Sequence, residues 1–407
     1  MVAALTRIFG VHNLALAEDV VQDAFCRALE IWKLRGVPAN PSAWLMTAAK
    51  NRALDILRRE RTALKFAPDL AQLFASEWTL APTVSEILAP AALRDDMLRM
   101  MFSCCQPRLP EAAQVALILH LLCGFSVSEV AGAFVSNHAA IEKRISRAKK
   151  VLASSRHLFD FKDEDFSTRL SAVRRALYLL FNEGYHGASA DAAVRVDLCR
   201  EAIRLVTLLL DNPSSATPAT YGLAALMHFQ AARLPSRIDA EGNLMALLDQ
   251  DRSKWDAAML AKGRRLLDVS ASGREVSEYH IEAAIAAVHA AAPSVEETDW
   301  GSIVALYDSL LALHRSPVVE LNRAIAIAQR DGPEPGIEAI EAIADRDRLN
   351  RYPFYPAALG TLELRRDRPE AARAHFQAAL ALARNPAERR FLEQRILACE
   401  EQLSAKA

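Results

Sequence analysis

Apolar residues recur at helical spacing through most of the chain. Val20, Val21, Ala24, Phe25, Ala28, Leu29 and Trp32 form an i, i+4, i+8 stripe, which predicts an amphipathic helix over residues 17–32. Its other side carries Asp19, Gln22, Asp23 and Arg27. A second helix is predicted after Asn40-Pro41, with Trp44, Leu45, Ala48, Ala49, Ile56 and Leu57 on one side. Asn51, Asp55, Arg58 and Arg59 then share the opposite side, where Arg and Asn side chains can reach phosphates or base edges. Asp55 and Arg59 also fit an i, i+4 pair that stabilises a solvated face, and periodicity does not separate the two readings.

Further along, Val115 to Cys123 predicts a helix that closes at Gly124. Ser126-Val-Ser-Glu129 then has the form of a capping box, opening a short helix over 127–134. After the turn Val135-Ser136-Asn137, another helix places Ile141, Ile145, Ala148 and Leu152 inward and Glu142, Lys143, Arg144, Arg147 and Lys150 outward. A short helix, a tight turn and a basic second helix make a helix-turn-helix pattern suited to the DNA major groove; a surface helix beside a helical hairpin is the alternative. Between the two basic helices, residues 66–92 contain Pro68, Pro82 and Pro90 with weak periodicity and read as a linker. The acidic stretch Asp160, Asp163, Glu164 and Asp165 marks a second boundary. The expected divisions are therefore 1–65, 66–92, 93–156 and 157–407.

The last division is helical, and one helix-pair repeat is legible in it. Leu359-Gly360 with Ala372, Phe376 and Ala379, followed by Pro386, fits the tetratricopeptide pattern. Ala324, Gly336, Ile340 and Ile343 form a more degenerate copy. Stacked pairs of this kind leave a concave groove for a protein or peptide ligand. Asn182, Glu183, Tyr185, Asp249, Asp251, Arg252 and Trp255 either line such a groove, face the amino-terminal domains, or serve as packing and capping residues.

Composition supports an all-α chain: 407 residues contain only 14 Gly, and 52% hydrophobic with 24% charged content is ordinary for globular cores. The longest weakly interrupted apolar stretches, Val115 to Val127 and Ala283 to Val295, fall short of the roughly 20 residues that span a bilayer. With no secretory signal, a cytoplasmic location without membrane attachment is expected. The six cysteines form no CxxC pair, so buried thiols are expected and no metal site. The histidines form no HExxH pair, and neither a GxxxxGK[ST] loop nor a GxSxG elbow occurs, so neither enzymatic activity nor a cofactor is expected.

Charge changes the picture once it is divided. The overall balance of 49 Lys and Arg against 50 Asp and Glu argues against a nucleic-acid protein. Residues 1–156 nevertheless hold 19 basic and 14 acidic residues, a net +5, and the remainder carries −6. The excess concentrates in Lys50 to Lys65 and Glu142 to Arg156.

These residues resemble an extracytoplasmic-function sigma factor, a short class of bacterial transcription initiation subunit. Glu18 to Phe25 looks like the region 2 helix that docks on the β′ clamp helices of core RNA polymerase. Asn40 to Leu45 and Lys50 to Arg59 look like its promoter-melting and −10-reading parts, and Phe125 to Leu152 resembles the region 4 helix-turn-helix that reads the −35 element. Tyr178 to Tyr185, Asp249 to Trp255, Asp299-Trp300 and Ser316 to Asn322 look like the subgroup with a carboxy-terminal tetratricopeptide-like extension that controls activity.

The resemblance implies two small helical sigma domains, a linker and a large helical regulatory domain. It assigns Asp19, Gln22, Asp23 and Phe25 to core polymerase. Trp44, Asn51, Asp55, Arg58 and Arg59 go to the −10 strand, and Asn137, His138, Ala140, Lys143, Arg144 and Arg147 to the −35 duplex. The implied partners are core RNA polymerase, through the β′ clamp helices and β flap, promoter DNA, and a protein or peptide ligand of the repeat groove. A helix-turn-helix regulator with a partner-sensing repeat domain, and a scaffold with no DNA role, are the alternatives; the separating feature is the first helix pair, which a simple regulator does not need.

Overall fold

The computed structural model describes residues 1–9, 13–65, 96–134, 136–153, 163–187, 194–239 and 243–406, and its long elements are all α-helices. In chain order these are α1 Val2–Phe9, α2 Leu14–Arg35, α3 Pro41–Lys65, α4 Asp96–Cys104, α5 Glu111–Leu121, α6 Val127–Ala133, α7 His138–Ala153 and α8 Asp163–His186. They continue as α9 Val196–Leu210, α10 Pro218–Ala231, α11 Ala257–Ser270, α12 Glu278–Ala291, α13 Trp300–Leu313 and α14 Pro317–Asp331. The last four are α15 Pro333–Glu341, α16 Phe354–Arg365, α17 Pro369–Ala381 and α18 Pro386–Lys406. Among the described residues the β-type pairing is a single isolated bridge, Ile238 with Leu244. The all-α expectation holds.

The chain divides into two compact units: Met1–Val130 with His138–Ala176, and Ala131–Asn137 with Leu177–Ala407. The expected linker at 66–92 lies outside the described residues.

In the first unit the helix boundaries follow local chemistry. Gly36, at φ 76°, ends α2 and returns its N–H to the Trp32 carbonyl. Asn40 Oδ1 accepts from the Ala43 N–H at 3.0 Å, and Pro41 supplies the first helical position of α3. Gly124, at φ 75°, follows α5. The core between α1, α2 and α3 is built largely of small residues: Ala17, Val20, Ala24, Ala28, Ala49 and Ala53, with Leu5 and Leu45. Alanines at i, i+4 spacing let two helices lie close, so the ridge of one enters the groove of the other. A second core joins α4, α5 and α7, where Phe102, Met101, Leu117, Ile118, Leu119, Phe125 and Ile141 are fully buried or nearly so.

The second unit is assembled sequentially. From α9 onward each helix packs against its neighbours in the chain, the arrangement in which a repeat array accumulates its core locally. Asp256 accepts the Ala258 and Met259 N–H groups to start α11, and Asp299 accepts that of Ser302 to start α13. Glycines sit where helices of the repeat array approach closely. A Cβ on Gly336 would stand 2.3 Å from Ala328 Cβ, and one on Gly360 would stand 3.0 Å from the Phe376 ring. The Gly360 and Phe376 positions of the legible repeat thus meet face to face in the α16–α17 hairpin.

Candidate nucleic-acid interface

The outer face of α2 follows from which residues its core takes. Ala17, Val20, Ala24 and Ala28 are buried, which leaves Asp19, Gln22 and Asp23 exposed. Phe25 and Leu29, members of the apolar stripe, are 48% and 66% exposed. A helix of this width buries one row of alanines, and the neighbouring row turns outward. The result is an acidic and amide face with two apolar side chains standing on it. Asp23 is held there by Arg52 of α3, whose Nε donates to Asp23 Oδ2 at 3.2 Å.

On α3, Ala49, Ala53 and Leu57 face the core, while Lys50, Asn51, Arg52, Asp55 and Arg59 are exposed. The side chain of Arg58 lies outside the described residues. Trp44 is half-buried, its ring edge-on to Trp32 with centroids 5.5 Å apart. It therefore props the α2–α3 pair as well as standing near its surface.

The capping box forms as its sequence requires. Ser126 N–H donates to Glu129 Oε2 at 2.7 Å, and Glu129 N–H donates to Ser126 Oγ at 3.2 Å. On α7, Ile141, Ile145, Ala148 and Leu152 are buried. Asn137, His138, Lys143, Arg147 and Lys150 are exposed, and Ala140 and Arg144 are half-buried. Lys143, Arg147 and Lys150 thus present an unobstructed cationic face, with Arg144 lying closer to the protein surface. An open groove of about 350 Å³ runs beside this helix, lined by His120, Val127, Glu142, Ile145, Ser146 and Lys149.

Two residues absent from the sequence-based site complete the first unit. Lys149 Nζ donates to Glu18 Oε1 at 2.6 Å, joining α7 to α2. Glu18 sits one turn before Gln22, which marks it as part of the same face, but nothing in the sequence pairs it with a lysine 131 residues away.

Cys104 and Cys105 are buried, as expected, whereas Cys26 is exposed on α2. Burial, reinforced by the neighbouring Cys105, pushes the Cys104 thiol well up, and burial takes Cys105 to about 12. The Cys105 thiol donates to the Met101 carbonyl. Both groups are protonated packing residues, unsuited as thiolates.

Of the candidate groove residues in the second unit, Asp251 caps its own turn through Ser253, and Asp249 pairs with Arg395. Arg252 donates to the His289 and Ala292 carbonyls and to Thr298 Oγ1, and Trp255 is buried. Among the described residues no helix is long and apolar enough to cross a membrane.

Comparison with known proteins places the first of these surfaces. Residues 1–63 match the model for sigma-70 region 2, which spans α1 to α3. Residues 169–271 match a family of unknown function, reaching from α8 through α11. An uncharacterized protein of Rhizobium meliloti (strain 1021) is 40% identical over 396 residues, covering 97% of this chain and 92% of that protein. A protein of Xanthomonas campestris pv. campestris named "Probable RNA polymerase sigma factor RfaY" is 31% identical over 140 residues, 34% of this chain and 33% of that one. The chain carries a sigma-70 region 2 domain at residues 1–63 and belongs to the same family as the Rhizobium meliloti protein.

Proposed function

We propose that the chain is a bacterial sigma factor of the extracytoplasmic-function type, which binds core RNA polymerase and directs it to promoters. The observation that carries this reading is the match of α1–α3 to sigma-70 region 2, together with an α2 face that leaves Phe25 and Leu29 in solvent beside Asp19, Gln22 and Asp23. Exposed apolar side chains ringed by polar ones mark a surface that a partner covers. In this reading the α2 face meets the β′ clamp helices. Trp44 and the Asn51 to Arg59 side of α3 handle the melted −10 strand, and α7 reads the −35 duplex from Asn137 to Arg147.

The mechanism is binding without catalysis. Holding a base out of the stack costs a few kcal/mol, which polymerase docking and phosphate contacts must offset. The free chain therefore binds promoters weakly. The helices from α9 onward act as a tetratricopeptide-like regulatory extension, supported by sequential packing and the Gly360–Phe376 contact. A stand-alone helix-turn-helix regulator has no need of the region 2 pair.

Co-elution of the full chain with purified core polymerase tests the reading. A stoichiometric complex that Phe25→Ala and Asp23→Ala weaken is expected; no complex would overturn it.

A further inference from the structure

Two motif aromatics of the second unit collect cations. Arg233 lies 5.6 Å from the ring centroids of both Tyr185 and Trp255, Arg237 lies 4.8 Å from Tyr185, and Arg252 lies 5.4 Å from Trp255. The hydrogen bonds of all three arginines go to neutral acceptors. Arg233 reaches the Gln230 and Gln250 side chains, and Arg237 reaches the Met245 and Tyr185 carbonyls and His186 Nδ1. Arg252 is held by two carbonyls and a hydroxyl. Glu296, at the surface, acts on Arg252 from a distance, and Glu282 near Tyr307 is engaged by the Tyr178 hydroxyl at 3.0 Å. Three guanidinium groups thus share a half-buried cluster with no carboxylate bonded to any of them among the described residues.

Their field reaches the neighbouring histidines. Burial, then Arg233 and Arg252, brings His289 down to about 3; burial, then Arg237 and Arg384, holds His186 well below its usual range. Both rings are neutral at pH 7.

The unfilled hydrogen-bonding atoms around the arginines are mostly of one sign. Tyr185 Oη, Arg237 Nε, Arg252 Nε and Trp255 Nε1 are buried without a partner. His186 Nε2 is another, and because Arg237 Nη2 donates to His186 Nδ1 at 2.9 Å, the ring proton resides on Nε2. All five can donate. His289 Nδ1 is unpartnered too, and donates or accepts according to its tautomer. What the cluster lacks is a multiply charged acceptor.

We propose that this cluster is a binding site for a phosphate-bearing small molecule, whose phosphoryl oxygens take the unfilled donors and whose charge balances the three arginines. Guanidinium forks match phosphate oxygens in pairs. One carboxylate offers two oxygens and a single charge, too few for five donors and three cations. Arg237, Trp255 and His289 are buried, which rules out a duplex as the ligand. It involves none of the polymerase and DNA residues and does not depend on the sigma-factor reading.

Titration of the full chain with inorganic phosphate and with pyrophosphate at constant ionic strength, followed by calorimetry and thermal melting, tests the site, with succinate as the dicarboxylate control. Saturable binding to one site is expected for the phosphate probes, with a rise in Tm and no response to succinate. Arg233→Gln should weaken binding about tenfold or more while leaving the ligand-free Tm unchanged or higher, because it removes one of three like charges. Arg204→Gln, an exposed residue of α9, should bind as the parent does. Trp255→Phe keeps a ring against the arginines and removes the Nε1 donor, so it must also weaken pyrophosphate binding. No saturable binding of either probe at millimolar concentration, an equal response to succinate, or undiminished affinity in Trp255→Phe would overturn the proposal. So would an Arg233→Gln chain that melts lower yet binds as before.

Discussion

Lys149 Nζ and Glu18 Oε1 stand 2.6 Å apart, and through them the basic helix α7 is tied to the rim of the α2 face within the first unit. Each side chain is 29% exposed, so the pair is neither fully solvated nor dry. The ammonium of Lys149 is engaged by protein, whereas Lys143 and Arg147 on the same helix are open.

That difference sets the first prediction. A double-mutant cycle of Glu18→Gln and Lys149→Met, read by chemical denaturation, should return a coupling of at most about 1 kcal/mol that shrinks at high salt. A coupling that does not respond to salt would show that the two side chains interact through packing.

DNA binding by α7 should be electrostatic and divisible. Arg147→Ala and Lys143→Ala should each weaken −35 duplex binding and reduce the slope of log K against log salt by about one for every phosphate the variant no longer neutralises. Lys149→Ala should change it less. An unchanged slope in the Arg144→Ala, Arg147→Ala double variant would place the duplex elsewhere.

The α2 face separates stability from binding. Phe25→Ala and Leu29→Ala remove exposed side chains and should change stability by no more than about 0.5 kcal/mol. Their effect belongs in the affinity for core polymerase. Leu5→Ala, which empties a fully buried position under the same helix, should cost about 2–5 kcal/mol.

In the second unit, Gly336→Ala and Gly360→Ala force a methyl group against Ala328 and Phe376. Denaturation midpoints should fall by an amount equivalent to about 1–3 kcal/mol for each, with Gly336 the more severe because the methyl would meet another Cβ.

Acid should destabilise the fold in a direction that His289 makes explicit. Folding lowers its pKa from 6.5 to about 3, so above about pH 6.5 the ring is neutral in both states and contributes no slope. Between those values the unfolded chain takes up a proton that the folded chain refuses, and stability falls as pH falls. His289→Gln should remove up to one proton from the acid-unfolding linkage. His186 and His228, shifted the same way by burial, act in the same direction.

What the sequence disclosed was local chemistry. The Ser126–Glu129 capping box, the Asn40-Pro41 start of α3 and the inward row Ile141, Ile145, Ala148 and Leu152 all formed as their spacing requires. Those signals depend on residues three or four apart. Periodicity finds an apolar stripe but not its width: Phe25 and Leu29 belong to the stripe yet stay exposed, because a neighbour packed on alanines needs only one row. The Glu18–Lys149 pair was invisible because it is a tertiary contact between distant helices. The cationic cluster was half legible. Tyr185, Arg252 and Trp255 stood out as motif residues, while Arg233, Arg237 and His289 look in sequence like ordinary helix-end residues and gain meaning only where α8, α10 and α12 bring them together.

Run-off transcription shows whether this chain directs initiation. Purified core polymerase with the full chain, supplied with genomic fragments, should yield discrete transcript 5′ ends that share upstream elements and that core alone does not produce. Absence of promoter-specific transcripts, together with tight binding of the free chain to DNA, would show a helix-turn-helix regulator and not a sigma factor.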